Sequence, residues 1–161
     1  MSRDPLTHFD EAGAARMVAI DSKPETPRMA RARATVRLQE ETLARIEAGQ
    51  VGKGDVLGVA RLAAIGAAKS TAQLIPLCHP VRLTAVDVSF ELGHRPPCVT
   101  VTVTVHAHDR TGPEMEAMTA ASTAALTIYD MCKAADRTMA IEQVVLLEKT
   151  GGKSGHFSRD G

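Results

Sequence analysis

Between residues 98 and 108 the chain reads CVTVTVTVHAH, with Val99, Val101, Val103 and Val105 alternating with threonines. Side chains that alternate with a period of two lie on opposite faces of a strand, so this segment predicts a β-strand with one face buried and one polar. Such a strand needs neighbours. TAVDVSFEL, 84–92, puts Val86, Val88, Phe90 and Leu92 on one face, and the GHRPP between the two suits a hairpin connection. RATVRLQ, 33–39, sets Ala34, Val36 and Leu38 against Arg33, Thr35 and Arg37 and predicts a third half-buried strand.

A sheet with one apolar face requires helices to cover it. EETLARIEA predicts a short helix stopping at Gly49, and Asp55 is a good N-cap for a second helix over 56–72, whose alanines and glycines permit close packing. Pro76 forbids its continuation. A long helix over 113–135 has Pro113 in its first turn and Glu114 and Glu116 at the positive end of its dipole. AIEQVVLLE reads as a last strand before a glycine-rich tail. Strands interleaved with helices, one pair forming an antiparallel hairpin, give an α+β class. Residues 1–30, with Pro5, Pro24 and Pro27 and no clear period, are expected to be an extended, partly ordered arm, leaving 31–161 as a single domain.

At 161 residues one domain buries roughly 70% of its unfolded surface, enough for a core without staples. Nineteen basic and nineteen acidic side chains give zero formal net charge, so no overall field favours a polyanion, and one Tyr with three Phe cannot build base-stacking platforms. Nucleic acid is therefore not an expected partner. Cys78, Cys98 and Cys132 form no CxxC and cannot all pair, and the N-terminus lacks an apolar signal-peptide core, which predicts a reduced, cytoplasmic protein. VLGVARLAAIGAA is broken by Arg61 and is too short to span a bilayer, so no membrane segment is expected.

LIPLCHP, 74–80, poses the chemical question: Cys78 and His79 read as half of a metal site or as the floor of a polar pocket. Adjacent residues cannot easily share one zinc ion and no other cluster has zinc-finger spacing, so the pocket is preferred, with His79 donating a hydrogen bond or moving a proton. His106 and His108, on one strand face, are the better metal pair and would suit a metal-dependent phosphohydrolase, but a solvent-facing pair at a strand end is the preferred explanation.

On the long helix Glu116, Thr119, Thr123, Thr127, Asp130 and Lys133 recur at steps of three or four and form a polar stripe. A solvated face would favour better helix formers than three threonines, so the stripe is expected to face something. Glu116 and Asp130 lie about 21 Å apart along that helix, so the ligand is long or a neighbouring subunit completes each site. Against 13 arginines stand six lysines, of which Lys53, Lys69, Lys133, Lys149 and Lys153 lie near glycine or polar motifs. Lysine can give up a proton when its pKa is lowered, which arginine cannot practically do. TGGKSGHF, 150–157, resembles a phosphate loop, but Leu147 stands where a Walker motif has its first glycine and no helix can follow Ser154. An anion clamp without NTPase chemistry, or a flexible tail, remains.

GKGDVLGVAR, LIPLCHP, GPEMEAMTAASTAALTIYDMCKA and LLEKTGGKSG together resemble the MoaC family, the cyclic pyranopterin monophosphate synthases of molybdenum cofactor biosynthesis, over nearly the whole chain from about residue 17. That resemblance implies a ferredoxin-like antiparallel sheet with helices on one face, in a homohexamer built as a trimer of dimers with sites between subunits. It implies a substrate, 3′,8-cyclo-7,8-dihydro-GTP, made by a radical-SAM cyclase, and the products cyclic pyranopterin monophosphate and pyrophosphate. By motif, Asp130 matches the catalytic aspartate and Lys133 its acid–base partner. Leu77, Cys78 and His79 match one substrate segment, Met115 and Glu116 another, and Lys53 and Lys153 lysines of the same pocket. Lys69 joins them as a candidate cation near the leaving phosphates, and Glu114 with Glu116 as acceptors for the guanine edge. No cofactor is required, with magnesium allowed on the triphosphate. Pro113 and the proline-rich 93–98 connection depart from the family pattern without removing a matched chemical residue. The rival from another class is a non-catalytic nucleotide-binding oligomeric module, which explains the tail and leaves the Asp130–Lys133 stripe idle.

Overall fold

A computed structural model describes residues 8–10, 12–49 and 54–159. Its elements run β1 (Thr26–Arg37), α1 (Glu40–Glu47), α2 (Val56–Leu74), β2 (Leu83–His94), β3 (Pro97–Asp109), α3 (Glu114–Cys132), β4 (Ala140–Thr150) and β5 (Phe157–Ser158). The strands form one antiparallel sheet in the order β2-β3-β1-β4-β5. Without the short β5 this is the βαββαβ arrangement of a ferredoxin-like α+β domain, with β1 and β3 central.

The alternation at 98–108 sets the layer structure. Val99, Val101, Val103 and Val105 are fully buried, and the register sets them opposite Val36, Ala34, Ala32 and Ala30 of β1, also fully buried. Alanine on β1 leaves room for α3 to lie close against the central strands through Ala117, Ala120, Ala121, Ala124 and Ile128, all at 0% exposure. α2 covers the β2 side and meets α3 through Ala60, Ala64, Ala68 and Thr71. This small-residue layer replaces bulk with close backbone approach, and dispersion across many short contacts supplies the cohesion.

The ends of the elements follow their sequence signals. Asp55 caps α2 by accepting the Gly58 N–H (2.9 Å), and Gly49 closes α1 at φ +64°. Pro113 sits one residue ahead of α3 rather than in its first turn, buried, with its carbonyl accepting the Ala117 N–H (3.0 Å). β1 begins at Thr26, so Thr26–Ala30 of the expected arm pair with β3, from Thr26 opposite Asp109 to Ala30 opposite Val105. No helix among the described residues is long and apolar enough to cross a membrane.

Candidate active site

The site starts where α2 stops and α3 begins. The Ile75 N–H closes the last turn of α2 on the Thr71 carbonyl (2.9 Å), and the Cys78 N–H returns to the Ile75 carbonyl (3.1 Å). That turn brings the Cys78 thiol to 3.9 Å from Glu116 Oε1 in the first turn of α3, so α2 and α3 run antiparallel. Leu77, Cys78 and His79 are half-buried here. Glu116 is 2% exposed, and its Oε2 is buried with no hydrogen-bond partner among the described residues. Burial pushes its carboxyl up to about 7, with the charges of Glu114 and Asp109 acting in the same direction, while hydrogen bonds from the backbone and Cys78 oppose them. Burial, and then the Glu116 carboxylate, push the Cys78 thiol up as well, so it stays a thiol and is poorly suited to metal ligation.

Beside this cluster opens a cavity of about 800 Å³ whose described wall carries Lys23, Arg28, Arg110, Lys149 and Lys153 around one acid among the described residues, Glu114. Glu114 Oε1 accepts from Lys149 Nζ at 2.8 Å, and the same Nζ donates to Ser154 Oγ at 2.8 Å. This bracket fixes the glycine loop against α3. Gly151 and Gly152 adopt φ of +92° and +74°, a conformation that favours glycine at both, and a Cβ on Gly151 would also run into the backbone carbonyl oxygen of Pro27. The loop therefore delivers Lys153 to the cavity wall as a formed element.

Asp130 and Lys133 meet, with Nζ 2.6 Å from Oδ1, as their three-residue spacing allows. They occupy the opposite end of α3, about 21 Å away by helical rise. Both are more than half exposed, so the pair adds little stability and is open to solvent or to a ligand. Of the threonines in the polar stripe, Thr119, Thr123 and Thr127 are half-buried, and Thr127 spends its hydroxyl on the Thr123 carbonyl (2.7 Å). Met115 is 38% exposed on the outer surface of α3, and Lys69 is exposed on α2. Lys53 lies outside the described residues.

The structure thus gathers Leu77, Cys78, His79, Glu114, Glu116 and Lys153 at one end of α3 and places Asp130 and Lys133 at the other. Sequence reasoning missed Lys23, Arg28 and Arg110, and it singled out Lys149 only for its surroundings. His106 and His108 stand on the uncovered sheet face, and Arg82 Nη2 lies 3.0 Å from His108 Nδ1. Among the described residues no three His, Cys, Asp or Glu side chains gather as a metal cluster.

Comparison with known proteins adds a separate line of support. The model of the MoaC family matches residues 17–152. A cyclic pyranopterin monophosphate synthase of Heliobacterium modesticaldum is 55% identical over 157 residues, covering 98% of this chain and 99% of that one. Its counterpart of the same name in Listeria monocytogenes serotype 4b is 55% identical over 160 residues, with 99% of each chain covered. A third so named, from Thermomicrobium roseum, is 53% identical over 155 residues, covering 96% and 93%.

Proposed function

The chain belongs to the MoaC family, and we propose that it works as a cyclic pyranopterin monophosphate synthase, converting 3′,8-cyclo-7,8-dihydro-GTP to cyclic pyranopterin monophosphate and pyrophosphate. The observation that carries this reading is the cavity walled by Lys23, Arg28, Arg110, Lys149 and Lys153 next to the Cys78–Glu116 cluster. A leaving pyrophosphate carries several negative charges, and preorganised cations stabilise them as the P–O bond breaks. The ring end of the substrate then falls beside His79, Met115 and Glu116. With its carboxyl near neutral, Glu116 can donate a hydrogen bond as well as accept one.

Opening and reclosing the guanine-derived ring requires protons moved on and off nitrogen and carbon, and Asp130 with Lys133 is the pair assigned to that work. Since this pair lies at the far end of α3 from the cavity, each complete site is assembled from two copies. The outer surfaces of the helices support such an assembly: Val59 and Leu62 on α2, and Met115 and Leu126 on α3, are 38–71% exposed apolar side chains. A homohexamer built as a trimer of dimers is the assembly proposed, acting in the cytoplasm after the radical-SAM cyclase that makes its substrate. For magnesium the wall is a poor cage, because the one carboxylate among its described residues is already paired with Lys149; the ion's place would be on the triphosphate oxygens themselves. A non-catalytic nucleotide-binding module would use the same cavity but gives no role to the Asp130–Lys133 pair, and the related chains bear the synthase name.

The test is pyrophosphate release by the purified protein from the cyclised intermediate, from GTP and by a Lys133→Ala variant. Release from the intermediate alone, reduced about 100-fold or more in the variant, is the expected result, the loss being that of one general acid–base group. Tight binding without release would instead favour the binding module.

A further inference from the structure

Beside the cavity, three stretches of chain meet at one residue, Asp109, the last of β3. Its Oδ1 accepts the Arg110 N–H (2.7 Å) and its Oδ2 the Arg82 N–H (2.7 Å). Its carbonyl accepts Arg28 Nε (2.8 Å), and the next carbonyl, of Arg110, accepts Arg28 Nη2 (3.0 Å). Arg82 in turn donates from Nε to the His108 carbonyl (3.1 Å) and from Nη2 to Glu25 Oε2 (2.9 Å). Glu25 Oε1 stands 3.8 Å from Arg110 Nε, closing the circuit.

Three segments that build the site meet in this circuit: the stretch carrying Lys23 and Arg28, the stretch that follows His79 and Pro80, and the turn leading into Glu114 and Glu116. Two polar atoms of cavity-lining residues lie beneath its surface. Arg110 Nε and Thr26 Oγ1 are both buried with no hydrogen-bond partner among the described residues, and Thr26 pairs directly opposite Asp109 in the sheet. Arg28 and Arg110 both line the cavity, so the circuit sets the position of two of its wall cations.

We infer that Asp109 is a positioning residue: by clamping the Arg82 and Arg110 N–H groups and receiving Arg28, it fixes Arg28 and Arg110 along the wall that faces the departing pyrophosphate and keeps them in register with the His79 segment. It touches no substrate itself. Glu25 and Arg82 are its outer braces, restraining the Arg110 guanidinium without a hydrogen bond that a phosphate would have to break. This inference rests on the synthase reading for the identity of the anion but not for the geometry.

Binding of inorganic pyrophosphate to the full chain, measured by calorimetry, tests it alongside KM and kcat with the cyclised intermediate. Asp109→Ala is expected to weaken pyrophosphate binding about tenfold and to raise KM more than it lowers kcat, the loss being that of a misplaced charge-assisted contact. Asp109→Asn, which keeps one acceptor oxygen, should recover part of that loss, and Arg82→Met should fall between Asp109→Ala and the wild type. Unchanged pyrophosphate binding in a folded Asp109→Ala protein, or a drop in kcat alone, would overturn the assignment. If Asp109→Ala does not fold, Asp109→Asn and Arg82→Met decide, and wild-type binding in both overturns it. A wild-type protein that binds pyrophosphate but releases none from the intermediate would defeat the synthase reading and leave the positioning role to be judged on binding alone.

Discussion

Glu116, placed beside the substrate in the proposed function, weighs against the fold. Its carboxyl ordinarily titrates near 4.5 and is pushed up to about 7 in the folded protein, first by burial. Below pH 4.5 it is protonated whether the chain is folded or not, and contributes no pH dependence. As pH rises from 4.5 towards 7 the unfolded chain loses this proton first, so folding is progressively penalised, and above 7 the penalty is constant. Glu116→Gln is therefore expected to match the wild type in stability at pH 4.5 and to exceed it at pH 8, by at most about 3 kcal/mol, the equivalent of 2.5 pKa units. Urea unfolding at the two pH values checks this, and a Gln variant no more stable at pH 8 than at 4.5, relative to wild type, would refute it. Asp136 behaves oppositely. Burial pushes it up, but hydrogen bonds from Thr138 Oγ1 (2.7 Å), the Gln39 N–H (2.8 Å) and the Thr138 N–H (2.9 Å) outweigh burial and hold it below the usual carboxylate range. Its stabilising effect is present at neutral pH and is lost as pH falls through that depressed value. It ties the start of α1 to the turn after α3, and Asp136→Ala should destabilise at pH 7 by about 1–3 kcal/mol, more than at pH 3, because it leaves buried donors without an acceptor.

Among the elements, α3 lies with its inner surface against alanines of β1, while its two ends carry the two groups of residues that the proposed function assigns to the site. Ala121 and Ala124 are at 0% exposure, and neither has room for a longer side chain. Ala121→Leu is expected to cost about 1–3 kcal/mol through overpacking, read as a lower urea midpoint, and to reduce activity because the shift reaches both ends of the helix. An unchanged midpoint would show that the layer is looser than the burial implies. The same element shows what can be read locally. The three-residue spacing of Asp130 and Lys133 is a property of one helix, so their meeting was legible from the sequence, as were the valine alternation of β3 and the Asp55 cap. The start of β1 was not: Pro27, Arg28 and Arg31 carry no apolar period, and Thr26–Ala30 become a strand because β3 supplies the pairing. β5 has only two residues and forms on the edge of β4. Arg28 and Arg110 escaped notice for a related reason, since they are 82 residues apart and only the β1–β3 register makes them neighbours. Resemblance pointed to candidate residues that lie in long sequence blocks, whereas the cations of the cavity wall, gathered from short, separate stretches, required the fold.

At the scale of the whole molecule the central fact is a distance. A straight helix of 19 residues separates the Lys133 end from the Lys149 end by roughly 25 Å, well beyond the reach of one catalytic pocket. If two copies complete each site, a Lys133→Ala chain and a Lys149→Ala chain fail for different reasons, and each retains the part the other lacks. Co-expressed in equal amounts with random assembly, half of the positions on each side of a shared site are intact, so about a quarter of the sites recover both lysines. The expected outcome is nearly inactive separate variants and a mixture that regains about a quarter of wild-type pyrophosphate release. A site contained in one chain predicts no recovery at any mixing ratio, because every chain then carries a defect in its own site. Joining both substitutions in one chain and mixing it with wild type supplies the control: with shared sites activity follows the square of the wild-type fraction only for the contribution of two wild-type chains, again about a quarter at equal amounts, whereas self-contained sites would retain about half. The two mixtures together separate a shared site from a self-contained one without any knowledge of the assembly's final size.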